Sequence, residues 1–226
     1  MASFFVLALL FATANLLAQP FNIFQVNVRT GDAEQVSFLD NQNFNPSYSN
    51  NGHAIVHESF PVADVYDVLM RTDVATGVST PIPGTQAGND ASWSPDGNQI
   101  AFDLYGYNIP AIFTIPATGG TPEFVFYPGV DPEWSQNSQM LAFLDWTTGM
   151  ISTIDLATGE VNPVAYGGQP CWSPNGQYIA YIVPGDRVSN IFQIEVDPAG
   201  EPVGTPIQLT FDADFSDIYN GYPTYS

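Results

Sequence analysis

Residues 90–102 read DASWSPDGNQIAF. An aromatic residue, a tight-turn signal and an apolar run follow one another. Trp93 belongs to a short strand. In Ser94-Pro95-Asp96-Gly97, proline presets φ at the first central position, aspartate tolerates the second, and glycine accepts φ > 0, which makes a hairpin. Ile100, Ala101 and Phe102 then run apolar without alternation, as in a strand buried on both faces. Variants of the stretch recur: NPSYSNNGHAIV from Asn45, DPEWSQNSQMLAF from Asp131, QPCWSPNGQYIAY from Gln169, and YPTYS at residues 222–226. The aligned aromatics are Tyr48, Trp93, Trp134, Trp172 and Tyr225, spaced by 45, 41, 38 and 53 residues. A period near 40 with strand content is that of one propeller blade.

The remaining strands repeat in step. Residues 111–116 (AIFTIP) form a third strand, turned by Ala117-Thr118-Gly119-Gly120, and residues 123–127 (EFVFY) a fourth. The third strand recurs from Asn22, Asp67, Ile151 and Asn190. Complete sets fall at about 44–85, 90–127, 131–166 and 169–211, whereas residues 22–39 supply only third and fourth strands. The chain end adds one further first strand. The expectation is an all-β propeller of about five four-stranded antiparallel blades, incomplete or open at one edge. That edge would favour self-association.

The order aromatic-Ser-Pro-Asp/Asn-Gly, then x-x-Ile-Ala-Phe/Tyr, then Ile-Phe-x-Ile with a Gly turn, resembles the TolB-like, WD-related β-propeller repeat across roughly residues 21–226. The resemblance implies blades around a channel, with the first strand of each blade lining it and the mouth presented to a protein or peptide partner. It does not imply one function, because such repeats serve binding proteins and accessory domains of enzymes alike.

On that resemblance, the residues three positions before each aromatic line the channel: Asn45, Asp90, Asp131, Gln169 and Tyr222. Four of them offer a carboxylate or amide oxygen. Asp90 and Asp131 are the candidate metal ligands, for a hard cation such as calcium. Against this stands the ordinary turn-capping use of Asp and Asn. His53 and His57 flank a strand and lie about 13 Å apart along it, too far to chelate one ion. Cys171 is the only cysteine, so no internal disulfide forms, and it reads as a small buried residue beside Trp172. Trp93, Trp134 and Trp172 read as packing between blades. Trp146, outside the repeat register, is the better candidate for a sugar-stacking platform.

Three arginines and no lysine stand against 23 acidic residues, a net charge of −20. Nucleic-acid binding and attachment to anionic membranes are disfavoured by that balance. A solvated acidic surface accounts for it, as does a surface that attracts cations or a basic partner. No Gly-x-Ser-x-Gly elbow, His-Glu-x-x-His helix or phosphate loop occurs. The two carboxylates of a glycosidase remain open, although the acids fall mostly in turns, such as Asp96, Asp155 and Asp197.

Residues 4–11 (FFVLALLF) precede Ala12-Thr13-Ala14. The run suits the apolar part of a signal peptide at 1–18, cleaved after Ala14 or Ala18 and leaving a domain at 19–226, periplasmic or secreted without a stable membrane anchor. No basic residue precedes the run, and the competing use is a strand packed into the first blade. The leading functional expectation is a non-catalytic exported binding or scaffold module. The alternative is the propeller part of a larger or fragmentary peptidase, lyase or glycoside-active hydrolase.

Overall fold

A computed structural model describes residues 4–9, 22–27, 29–60, 67–106, 109–184, 189–211 and 223. The described residues are all β, with nineteen strands and no helix, hence none long and apolar enough to cross a membrane. They form five antiparallel sheets taken in chain order. The second sheet holds β4 (Gln42–Tyr48), β5 (Ala54–Phe60), β6 (Val68–Asp73) and β7 (Ser79–Gln86). The third holds β8 (Gly88–Trp93), β9 (Gln99–Gly106), β10 (Ile109–Pro116) and β11 (Glu123–Phe126). The fourth holds β12 (Gly129–Trp134), β13 (Met140–Asp145), β14 (Met150–Asp155) and β15 (Val161–Tyr166). The fifth holds β16 (Gly168–Trp172), β17 (Tyr178–Val183), β18 (Asn190–Val196) and β19 (Pro202–Gln208). Each is a four-stranded meander that does not close on itself. First strands pack on first strands, β4 on β8, β8 on β12 and β12 on β16, as around a propeller axis.

The first sheet departs from expectation. It has three strands, β1 (Phe4–Leu9), β2 (Asn22–Asn27) and β3 (Ala33–Gln35). β1 pairs antiparallel with β2 from Phe4↔Asn27 to Leu9↔Asn22 and so takes the second-strand position, which the repeat pattern leaves empty. The repeat motif does not mark this strand because it carries neither the aromatic nor the turn that precedes the others. The backbone groups along β2 are paired on both sides, with β1 and with β3. Tyr222 lies outside the described residues.

The hairpin between first and second strands repeats with one chemistry. At Ser94, the backbone N–H bonds the Gln99 carbonyl at 2.9 Å, and the hydroxyl accepts from Gln99 N–H at 2.9 Å and donates to Asp96 Oδ1 at 2.7 Å. Ser49, Ser135 and Ser173 do the same with Asn51, Asn137 and Asn175. The serine is therefore the buried pin of the turn, which leaves few backbone donors unpaired. The left-handed position is glycine in three hairpins and Ser138 (φ 57°) in the fourth.

Each repeat tryptophan packs on the preceding sheet. Trp93 joins Val56 and Leu69, Trp134 joins Ala101 and Ile112, and Trp172 joins Ala142 and Ile151. Trp134 N–H also bonds the Ser92 hydroxyl, and its indole N–H the Ser92 carbonyl at 3.2 Å. Cys171 is half-buried rather than buried, because the strand alternates at that point and Trp172 takes the inward side.

Candidate functional site at the first strands

Among the described residues, the first strands β4, β8, β12 and β16 carry the same irregularity. Pairing slips between Phe44 and Ser47, Asn89 and Ser92, Val130 and Glu133, and Gly168 and Cys171. In each case three steps on the first strand face two on its partner, the signature of a β-bulge. Inside each slip sits one residue with left-handed φ: Asn45 at 45°, Asp90 at 46°, Asp131 at 53° and Gln169 at 51°. Aspartate and asparagine tolerate this region better than other non-glycine residues. The four aligned residues thus occupy a backbone position that re-aims the side chain, and three of the four are the residue types that position favours.

Successive bulges are linked. Asn45 Nδ2 donates to Asp90 Oδ1 at 2.8 Å and to Glu58 Oε1 at 2.9 Å. Glu58 Oε1 also accepts the Asp90 N–H at 2.6 Å. The Asp90 carboxyl lies close enough to those of Asp131 and Asp103 for each to alter its proton affinity. Asp103 Oδ2 accepts the Asp131 N–H at 3.2 Å, and Asp131 accepts the Gln169 N–H. Asp103 Oδ1 is buried with no hydrogen-bond partner, a setting that favours the protonated acid.

The electrostatics follow from this crowding. Burial, then the nearby Asp90 charge, push the Glu58 carboxyl up to about 7. Burial raises Asp90, with Asp131 adding to it, and burial raises Asp103, with Asp90 adding to it. Burial also raises Asp131. The shared cause is loss of solvent combined with like charges, both of which disfavour the ionised form. His57, beside Glu58, is fully buried; its Nε2 lies 2.8 Å from Thr72 Oγ1 and its Nδ1 3.0 Å from the Glu58 carbonyl. Burial lowers it to about 4, so it is neutral, with both ring nitrogens engaged within the sheet.

The structure brings Asn45, Asp90, Asp131 and Gln169 into one succession and adds Glu58 and Asp103, which the motif reading passed over. A signal for the two existed. Ile55, Ile100, Leu141 and Ile179 pair with the repeat aromatics. Three residues on from each stand Glu58, Asp103, Leu144 and Ile182, acids in two sheets and apolar residues in the next two. Among the described residues, no group of three or more His, Cys, Asp or Glu side chains is placed to hold a metal ion. Asp96, Asp155 and Asp197 accept N–H groups of their own turns, as the turn pattern requires.

On the apolar side of this succession, where the fourth sheet meets the fifth, lies a cleft of about 400 Å³. Asp131 and Gln169 line it together with Leu144, Trp146, Tyr166 and Ile182.

Neither a family model nor a curated protein matches the sequence. Solved structures do match. A TolB from Agrobacterium tumefaciens, itself described as putative, is 21% identical, with a TM-score of 0.71 over 83% of this chain and 69% of that one. The oligogalacturonate lyase of Vibrio parahaemolyticus gives 0.59 at 13% identity, over 90% of this chain and 62% of that one. The propeller domain of the trilobed protease from Pyrococcus furiosus, described as having an open velcro topology, gives 0.54 at 13% identity, over 79% and 60%. The chain therefore has a TolB-like β-propeller fold, and it spans about 60–70% of the length of these proteins.

Proposed function

We propose that this chain is a non-catalytic, exported binding or scaffold module that receives a basic protein or peptide segment along its first strands. The observation that carries the reading is the succession Asn45, Asp90, Asp131 and Gln169, one polar side chain per sheet on a left-handed bulge, backed by Glu58 and Asp103. A cationic partner relieves the repulsion among these carboxyls. Nucleic acid and anionic membranes, which carry the same sign as the chain's −20, do not.

A second reading makes the chain the propeller part of a larger or fragmentary enzyme. It is favoured by the presence of a lyase and a protease propeller among the similar structures. An array of basic, neutral and acidic peptides probed with the purified chain separates the two. The expected result is capture of basic peptides, weakened by salt and lost in the double variant Glu58→Gln/Asp90→Asn. Capture indifferent to peptide charge and to that variant overturns the binding reading, and turnover of oligogalacturonate or of a peptide establishes the enzyme.

A further inference from the structure

The cleft between the fourth and fifth sheets has a chemistry of its own. Trp146 follows β13 and sits in the turn leading to β14, where its N–H bonds the Pro128 carbonyl at 3.1 Å. Tyr166 ends β15. The two rings are 49% and 62% exposed, whereas Trp93, Trp134 and Trp172 are each below 10%. Glycine makes room beside Tyr166: Gly167 N–H bonds the Gly149 carbonyl, and a Cβ on Gly149 would stand 3.3 Å from the Tyr166 ring. Leu144, Ile182 and Pro184 supply apolar wall, and Asp131 and Gln169 supply oxygen. Leu144 and Ile182 stand where the two preceding sheets carry Asp103 and Glu58, so the acidic succession gives way here to an oily slot with one carboxyl.

We propose that this cleft receives one lysine or arginine side chain of the partner, its aliphatic stem along Leu144, Ile182 and Pro184 and its charged head against the aromatic rings and the Asp131 carboxyl. The inference rests on the binding reading above and names the side chain that the site selects. A long alkyl cation is polar at one end only, which matches apolar walls with a carboxyl at one place. A sugar carries hydroxyls around its ring, and burying these against Leu144, Ile182 and Pro184 would leave them without partners. Exposed tryptophan and tyrosine faces attract a cation. Of the chain's three arginines, Arg71 lies over the Trp93 ring at 5.9 Å and Arg29 lies in the β2–β3 turn, and Arg187 is outside the described residues.

The test uses the full chain labelled with 5-fluorotryptophan, whose four tryptophans give four ¹⁹F resonances. Loss of one line in Trp146→Phe assigns that residue. Titration with N-acetyl-arginine amide should shift the Trp146 line saturably and leave the three buried tryptophans in place. The affinity should fall about tenfold in Asp131→Asn and about threefold to tenfold in Tyr166→Leu, which keeps an apolar wall but removes the π face. Asparagine tolerates the left-handed backbone of Asp131, so that variant keeps the fold. An equal response to the uncharged N-acetyl-norleucine amide, a response to galacturonate oligomers instead, or no shift with any of them overturns the proposal. Peptides captured on the array and retained by Trp146→Leu would refute the cleft while leaving the binding reading intact. Arginine binding in the cleft without charge-dependent capture on the array would do the reverse.

Discussion

Replacing Glu58 with glutamine should make the protein more stable at alkaline pH and flatten its response to pH. Glu58 is 7% exposed, and its carboxyl is pushed from 4.5 to about 7 by burial and by Asp90. A raised carboxyl means that the folded chain binds the proton more tightly than the unfolded one. Stability from this group is thus complete below the unfolded value and is lost as pH rises toward the folded value. The rise from 4.5 to about 7 corresponds to roughly 3 kcal/mol in full. About 2.5 kcal/mol of that falls between about pH 5 and about pH 8. Glutamine keeps an oxygen for the Asp90 N–H and the Asn45 amide and carries no charge to desolvate. For a chain of this size, that loss corresponds to roughly 5–10 °C in Tm, by which the wild type should fall further than the variant on going from pH 5 to pH 8. Asp90, Asp103 and Glu133 are raised as well and act in the same direction in both proteins, whereas His57, lowered to about 4, acts oppositely as pH falls below its unfolded value. Comparing the two proteins cancels these terms to first order. Thermal melts at the two pH values provide the assay. Parallel Tm profiles for wild type and variant would refute the buried, proton-holding state of Glu58.

Three other outcomes are expected. Ser94→Ala should cost about 0.5–1.5 kcal/mol in chemical denaturation, because the Gln99 N–H loses its acceptor; a cost near zero would mean that the turn holds without its pin. A chain of residues 19–226 lacks β1 and leaves β2 unpaired on one side, so size exclusion with light scattering should find it associating where the full chain does not. N-terminal sequencing of exported material decides whether that shortened form is the natural one, since the same apolar run cannot serve both as a cleaved leader and as β1. Calcium at Asp90 and Asp131 is checked by melting with and without millimolar calcium. A Tm rise that Asp90→Asn abolishes establishes the ion there, and identical curves leave the carboxyls to protons and to cationic side chains.

What the amino-acid order determined by itself is the blade. Ser94, Asp96 and Gly97 close their hairpin with bonds spanning two to five residues, and the apolar runs beginning at Ile100, Leu141 and Ile179 need no distant partner to be recognised as buried strands. Their recurrence near forty residues is enough to specify the architecture. The aligned residues Asn45, Asp90, Asp131 and Gln169 were legible for the same reason, as one position in a repeating unit. Tertiary structure alone decided what they meet. Glu58 reaches the Asp90 N–H across 32 residues, and Asp103 reaches that of Asp131 across 28. These contacts arise from one sheet packing on the next, so no local pattern encodes them. The left-handed bulge, the raised carboxyls that follow from crowding, and the cleft shared by Trp146 and Tyr166 have the same origin. So does the place of β1, whose residues signal only that they are apolar. A leader and a packed strand both ask for that property, and only the fold shows that a position beside β2 is there for the strand to take.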